Sequence, residues 1–159
     1  MRLSKPVSIV AAILLAAALT GPADAAKSRP APTSTHHIDM LYVTLVKATT
    51  ETNLGQYTTP QAGNVFLSVW LRIVDRNDVQ KGFSTSDFKA LSPDGGQLDS
   101  QYNTPTPKLN DTVLSPRYTA YGSITFEVPK GQHHVVLEWA PSPPHYNEHW
   151  PTATWTVFY

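Results

Sequence analysis

The chain of 159 residues carries 12 basic and 12 acidic side chains, so no net field gathers DNA, RNA or anionic lipid, and nucleic acid is excluded as a partner class. It has no cysteine, which removes disulfides, thiolate metal sites and a lipid-modified N-terminal Cys. One domain is expected, stabilised by its core alone.

The first residues read as a signal peptide, 1–25. Arg2 and Lys5 precede an apolar run from Val7 to Leu19, and Ala23-Asp24-Ala25 presents small residues for cleavage after Ala25. No later stretch approaches the ~20 apolar residues of a span, so no membrane span is expected after signal cleavage, and the mature chain is expected in the periplasm or outside the cell. Residues 26–37 hold Pro30 and Pro32 among small polar residues and read as a flexible leader, because such a segment buries too little apolar area to offset the entropy of ordering. The domain is expected over 38–159.

Ile38 to Ala48 alternates, with Leu41, Val43 and Leu45 on one face, and reads as a first strand near a sheet edge. Glu51 to Gly63 is a polar connection. Val65 to Val74 organises the rest: Val65, Leu67, Val69, Leu71 and Ile73 form an unbroken apolar row, which predicts a long strand with one buried face. Asp75-Arg76-Asn77-Asp78 turns the chain, and Val79 and Ser86 stand where further ligands of a calcium loop would be needed. A shorter strand is expected within Phe83 to Leu91, then a hairpin at Pro93-Asp94-Gly95-Gly96 with a return over Gln97 to Tyr102. Asn103 to Leu109, with two prolines, crosses between sheets as a loop. Tyr118 to Val128 aligns Ile124, Phe126 and Val128; Val135, Leu137 and Trp139 make the next inward row; Trp155, Val157 and Tyr159 close the chain. The result is an all-β chain, a two-sheet β-sandwich of about seven antiparallel strands.

Gly63-Asn64 before a long strand, Ser86-Asp87-Phe88-Lys89-Ala90-Leu91, Asp94-Gly95-Gly96 and Gly122-Ser123-Ile124-Thr125-Phe126-Glu127-Val128-Pro129 resemble the telokin-like, immunoglobulin-like domain of unknown function in bacterial secreted proteins and lipoproteins. In that family a Gly usually follows the Pro at the start of the late strand, where this chain has Pro116-Arg117-Tyr118. The resemblance implies an immunoglobulin-like sandwich outside the cytoplasm, and brings no catalytic residues.

Six histidines fall in the pairs His36 and His37, His133 and His134, His145 and His149. Neutral imidazole is the commonest metal nitrogen ligand, so His145 and His149 with Glu148 form the candidate zinc or copper site, with His133 or His134 reaching across. The prolines Pro143, Pro144 and Pro151 around it indicate a loop rather than a helix. No nucleophile elbow, phosphate loop or zinc-protease motif occurs. Tyr146, Trp150, Trp155, Phe158 and Tyr159 gather aromatic area near the C-terminus, either as core and edge packing or as a recognition surface. The expectation is a non-catalytic binding module for an unknown protein or cell-envelope ligand, needing no cofactor; the alternatives are the histidine metal site and an enzyme of unrecognised type.

Overall fold

Alternation over residues 64–75 pleats the backbone so that every second side chain points the same way, and the resulting strand is the spine of the molecule. The computed structural model describes residues 28–29, 34–55, 58–101, 103–142 and 150–159. The expected signal peptide, residues 1–25, therefore lies outside the described residues.

Among the described residues the strands are β1 (Ser28–Arg29), β2 (Thr35–Ile38), β3 (Leu41–Glu51), β4 (Asn64–Asp75), β5 (Lys81–Phe83), β6 (Phe88–Leu91), β7 (Gln97–Leu98), β8 (Ser100–Gln101), β9 (Thr112–Leu114), β10 (Thr119–Pro129), β11 (His134–Trp139) and β12 (Ala153–Phe158). One sheet runs β1-β3-β4-β10-β8, with β2 also on β3; the other runs β12-β11-β6-β7; β5 and β9 form a separate ribbon. All paired strands are antiparallel. The chain is a two-sheet β-sandwich, as expected. Its strands outnumber the expected seven because β1, β5, β7, β8 and β9 have only two or three residues, too few to register as a period.

The predicted core is buried throughout: Val65, Leu67, Val69, Leu71 and Ile73 from β4, Ile124 and Phe126 from β10, and Val135, Leu137 and Trp139 from β11. Phe88 and Trp139 stack at 6.1 Å within the smaller sheet. At roughly 25 cal/mol per Å2, such side chains contribute about 1.5–3 kcal/mol each, which is why this row dictates the register.

Three expectations are sharpened or corrected. First, the leader is not wholly unpaired: Thr35 to Ile38 pairs with Thr44 to Leu41, and Ser28 and Arg29 pair with Thr49 and Ala48. Asp39 and Met40 take φ of 45° and 63° and form the two-residue turn that sets this hairpin. Composition hides the pairing because its hydrogen bonds come from backbone. Second, β3 lies near the sheet edge as expected, with β4 on one side and the short β1 and β2 on the other. Third, β4 is buried on both faces, Phe66 and Ser68 being fully covered and Trp70 nearly so. Here the structure covers the outer face of the larger sheet with residues 103–105, whose Thr104 side chain and Pro105 carbonyl bond the outward side chains of Ser123 and Thr125. Asn103 Nδ2 donates to Thr58 Oγ1 at 2.7 Å and ties that segment to the connection before β4.

Candidate functional site

The hairpin β6–β7 ends in the smaller sheet, yet after Asp99 the chain continues as β8 in the larger one. The crossing strand cannot lie flat against either sheet. It leaves a cleft of about 670 Å3 whose floor is Phe88, Leu98, Leu109, Ile124 and Phe126 and whose walls are Lys89, Gln97, Ser100, Gln101, Lys108, Asn110 and Asp111. An apolar floor with a few polar groups is the usual composition of a small-ligand site, and this volume falls within the range such sites occupy.

Two local devices shape the cleft. Ser123 N donates to Pro107 O and Leu109 N to Ser123 O, so residues 107–109 run along the edge of β10 and seat Leu109 in the core. Gly122 permits this approach: a Cβ there would meet Leu109 N at 2.4 Å. On the opposite wall, Ser84 and Asp87 close a capping box around a short 3-10 turn at Thr85–Asp87. The backbone N–H and hydroxyl of Thr85 donate to Asp111 Oδ1 at 2.6 and 2.7 Å, clamping the turn to the 108–111 segment. Those two bonds, the backbone one first, hold the Asp111 carboxyl below its ordinary value. Burial pushes the Asp87 carboxyl up, against the bond from Ser84 N. Both acids serve as local anchors. The Ser84-x-x-Asp87 spacing is a capping signature that the sequence analysis did not use, and it carries no sign that Asp111 would join it.

The sequence-predicted metal ligands His145, Glu148 and His149 lie outside the described residues, as does Tyr146. The other histidines are dispersed: His36 meets Trp155 edge-on at 4.7 Å, His37 stacks on Tyr42 at 5.2 Å, His134 lies 5.8 Å from Phe158, and His133 is exposed. Among the described residues no three His, Cys, Asp or Glu side chains converge as a metal group would. The turn at Asp75–Asp78 is an Asx turn, with Asp75 Oδ1 accepting from Asn77 N at 2.8 Å. The C-terminal aromatics divide between packing and surface. Trp155 is buried and its indole N–H donates to Ser34 O at 3.0 Å; Tyr159 is half-buried, its phenol pushed up to about 12 by burial; Phe158 is 47% exposed. Among the described residues no helix is long and apolar enough to cross a membrane.

Solved structures with this sandwich come from several bacteria. A candidate lipoprotein of Bacillus subtilis superposes with a TM-score of 0.66 at 14% identity over 80% of this chain, and this chain spans 39% of that protein. A functionally unknown protein of Listeria monocytogenes gives a TM-score of 0.63 at 8% identity, covering 82% of this chain and 84% of that one. The yjhA protein of Bacillus subtilis gives 0.59 at 12% identity, covering 79% and 95%. At these identities the likeness is one of fold. None of the curated proteins matches the chain. The profile of one family, described as "Domain of unknown function (DUF4352)", matches residues 34–149, and the chain belongs to that family.

Proposed function

We propose that this chain is an exported, telokin-like, non-catalytic binding module that takes its ligand in the cleft between β6, the β7–β8 crossing and residues 108–111. The observation that carries this reading is the cleft itself, about 670 Å3 with an apolar floor and a polar rim. The rim acid Asp111 is engaged, its carboxylate held by the backbone N–H and hydroxyl of Thr85. Acids committed to backbone donors are poor general bases, whereas a preformed rim lowers the entropic cost of binding. Export is supported by the basic start, apolar run and small-residue cleavage pattern of residues 1–25.

The test is a fragment screen by NMR on the isotope-labelled chain. Hits whose shift changes concentrate at Phe88, Leu98 and Asn110, and which weaken in Leu98→Glu, support the cleft. Shift changes that avoid these residues overturn it. A panel of hydrolase assays is the counter-experiment, and turnover that survives repurification but disappears in Asn110→Ala would make the chain an enzyme.

A further inference from the structure

Residues 103–105 cover only part of the outer face of the larger sheet. The remaining part lies nearer the Asp75 end of β4, and it carries aromatic rings and cations in register. Tyr42 on β3 pairs with Val74, Arg72 pairs with Tyr121 on β10, and Lys47 pairs with Trp70. These three cross-strand rows contain no Asp or Glu.

Lys47 reaches this face through a backbone device. The inward row Leu41, Val43, Leu45 would continue to Lys47 in a regular strand, but the register shifts between Leu45 and Lys47, with Val46 as the extra residue. Lys47 therefore pairs with Trp70 and places its Nζ 4.4 Å from the centre of that ring, while Ala48 enters the core. Tyr121 stacks on Trp70 at 5.8 Å, and the Arg76 guanidinium sits 4.3 Å from the Tyr42 ring. Cation–π contacts hold the half-buried Lys47 and the exposed Arg76 in place. Arg72 is exposed, and among the described residues none of these three cations has a carboxylate partner. The phenol hydroxyls of Tyr42 and Tyr121 make no hydrogen bond to a described residue.

We propose that this face binds an anionic polysaccharide with one carboxylate per sugar unit. Successive rows on a strand lie about 6.7 Å apart, so the cations present single charges in a line rather than a convergent pocket for one multiply charged group. Arginine meets a carboxylate with two parallel N–H donors, and the phenols supply donors and acceptors for sugar hydroxyls. The rings already pack on cations and on each other, so a nucleobase would find little open face for stacking. This site is on a different surface from the cleft and stands or falls separately.

The test measures binding of polygalacturonate to the full chain, with dextran, polyglutamate and oligo-dT as comparators. Polygalacturonate should bind in preference to all three and weaken as salt rises. Arg72→Ala and Tyr121→Ala should each weaken it at least about tenfold. Both side chains are exposed, so melting midpoints should stay near that of the parent chain; Arg72→Gln serves if Arg72→Ala does not fold. Asn110→Ala, in the cleft, should leave polygalacturonate binding unchanged. Parental affinity in both outer-face variants overturns the proposal. So does equal binding of dextran, and so does tighter binding of polyglutamate or oligo-dT, which would assign the face to an acidic polypeptide or to nucleic acid.

Discussion

Ser68 on β4 and Thr125 on β10 join through their hydroxyls at 2.7 Å, both fully buried on the outer face of the larger sheet. The bond belongs to a chain with one direction. Ser123 Oγ donates to Pro105 O at 2.6 Å, so the Thr104 hydroxyl, 2.7 Å away, must donate to Ser123. Thr125 donates to Thr104 at 3.0 Å, so Ser68 must donate to Thr125. Each hydroxyl has one proton, and every proton is used. This chain fastens residues 103–105 to a sheet face that β-sandwiches commonly leave to solvent.

Removing a middle link should therefore cost more than removing the end. Thr125→Val strands the Ser68 donor and leaves Thr104 without its incoming bond, at about 1–3 kcal/mol; Ser68→Ala strands no donor and should cost about 1 kcal/mol. Urea denaturation of the two variants checks the order. Equal losses would mean that the hydroxyls act independently rather than as a directed chain.

Burial of alternate residues on β4 makes neighbouring substitutions unequal. Leu71 is fully buried between Leu45 and Gly122, whereas Arg72 is exposed. Leu71→Asp should unfold the domain by placing an unpaired charge in the core, while Arg72→Asp should change stability by about 0.5 kcal/mol or less. Matching denaturation midpoints would show that the row is not the core.

The inward rows were legible because a period of two survives in β4, β10 and β11, where Leu71, Ile124 and Leu137 recur on schedule and all prove buried. The second covered face was not. Phe66, Ser68 and Trp70 broke the expected polar alternation, but what covers them includes Thr104 and Pro105 in an aperiodic stretch. The cleft was equally hidden, since the change of sheet at Asp99 has no compositional mark beyond short strands on either side. The outward placement of Lys47 depends on a bulge at Val46, and a bulge is set by pairing rather than by the bulged residue's type.

Clamping of Asp111 by Thr85 predicts how acid acts on the cleft wall. Because hydrogen bonds hold the folded carboxyl below its unfolded value, its contribution is complete above an unfolded pKa of about 3.9 and is lost as pH falls through the folded value. Asp87 runs the other way: burial, its largest influence, raises it, and acidification relieves the cost of keeping it ionised. Asp111→Asn should lower the melting midpoint at pH 7 and approach the parent chain as pH falls below the ordinary carboxylate range. A midpoint difference that is constant with pH would assign the loss to packing.

Arg117 takes φ of 62°, a left-handed conformation that side chains resist, directly after Pro116. Tyr118 N donates to Ser115 O at 3.0 Å, so Ser115 to Tyr118 is a tight turn with Pro at its second position and positive φ at its third. That combination defines a type II turn, whose third position favours Gly. The Arg117 side chain does little to offset the strain: its contact with Asp78 is 3.6 Å long between groups 82% and 91% exposed, where ion pairs are worth about 0–1 kcal/mol and are screened by salt. Left-handed backbone costs a non-glycine residue about 1–2 kcal/mol, and glycine's greater freedom in the unfolded chain takes back about 0.4–1. Arg117→Gly should therefore stabilise the domain by roughly 0.5 kcal/mol, and Arg117→Val, β-branched at positive φ, should destabilise it by more than that. Urea midpoints of the three chains at high salt, where the ion pair is screened, read the backbone effect directly. A glycine variant no more stable than the valine one would show that the turn does not hold Arg117 left-handed in solution.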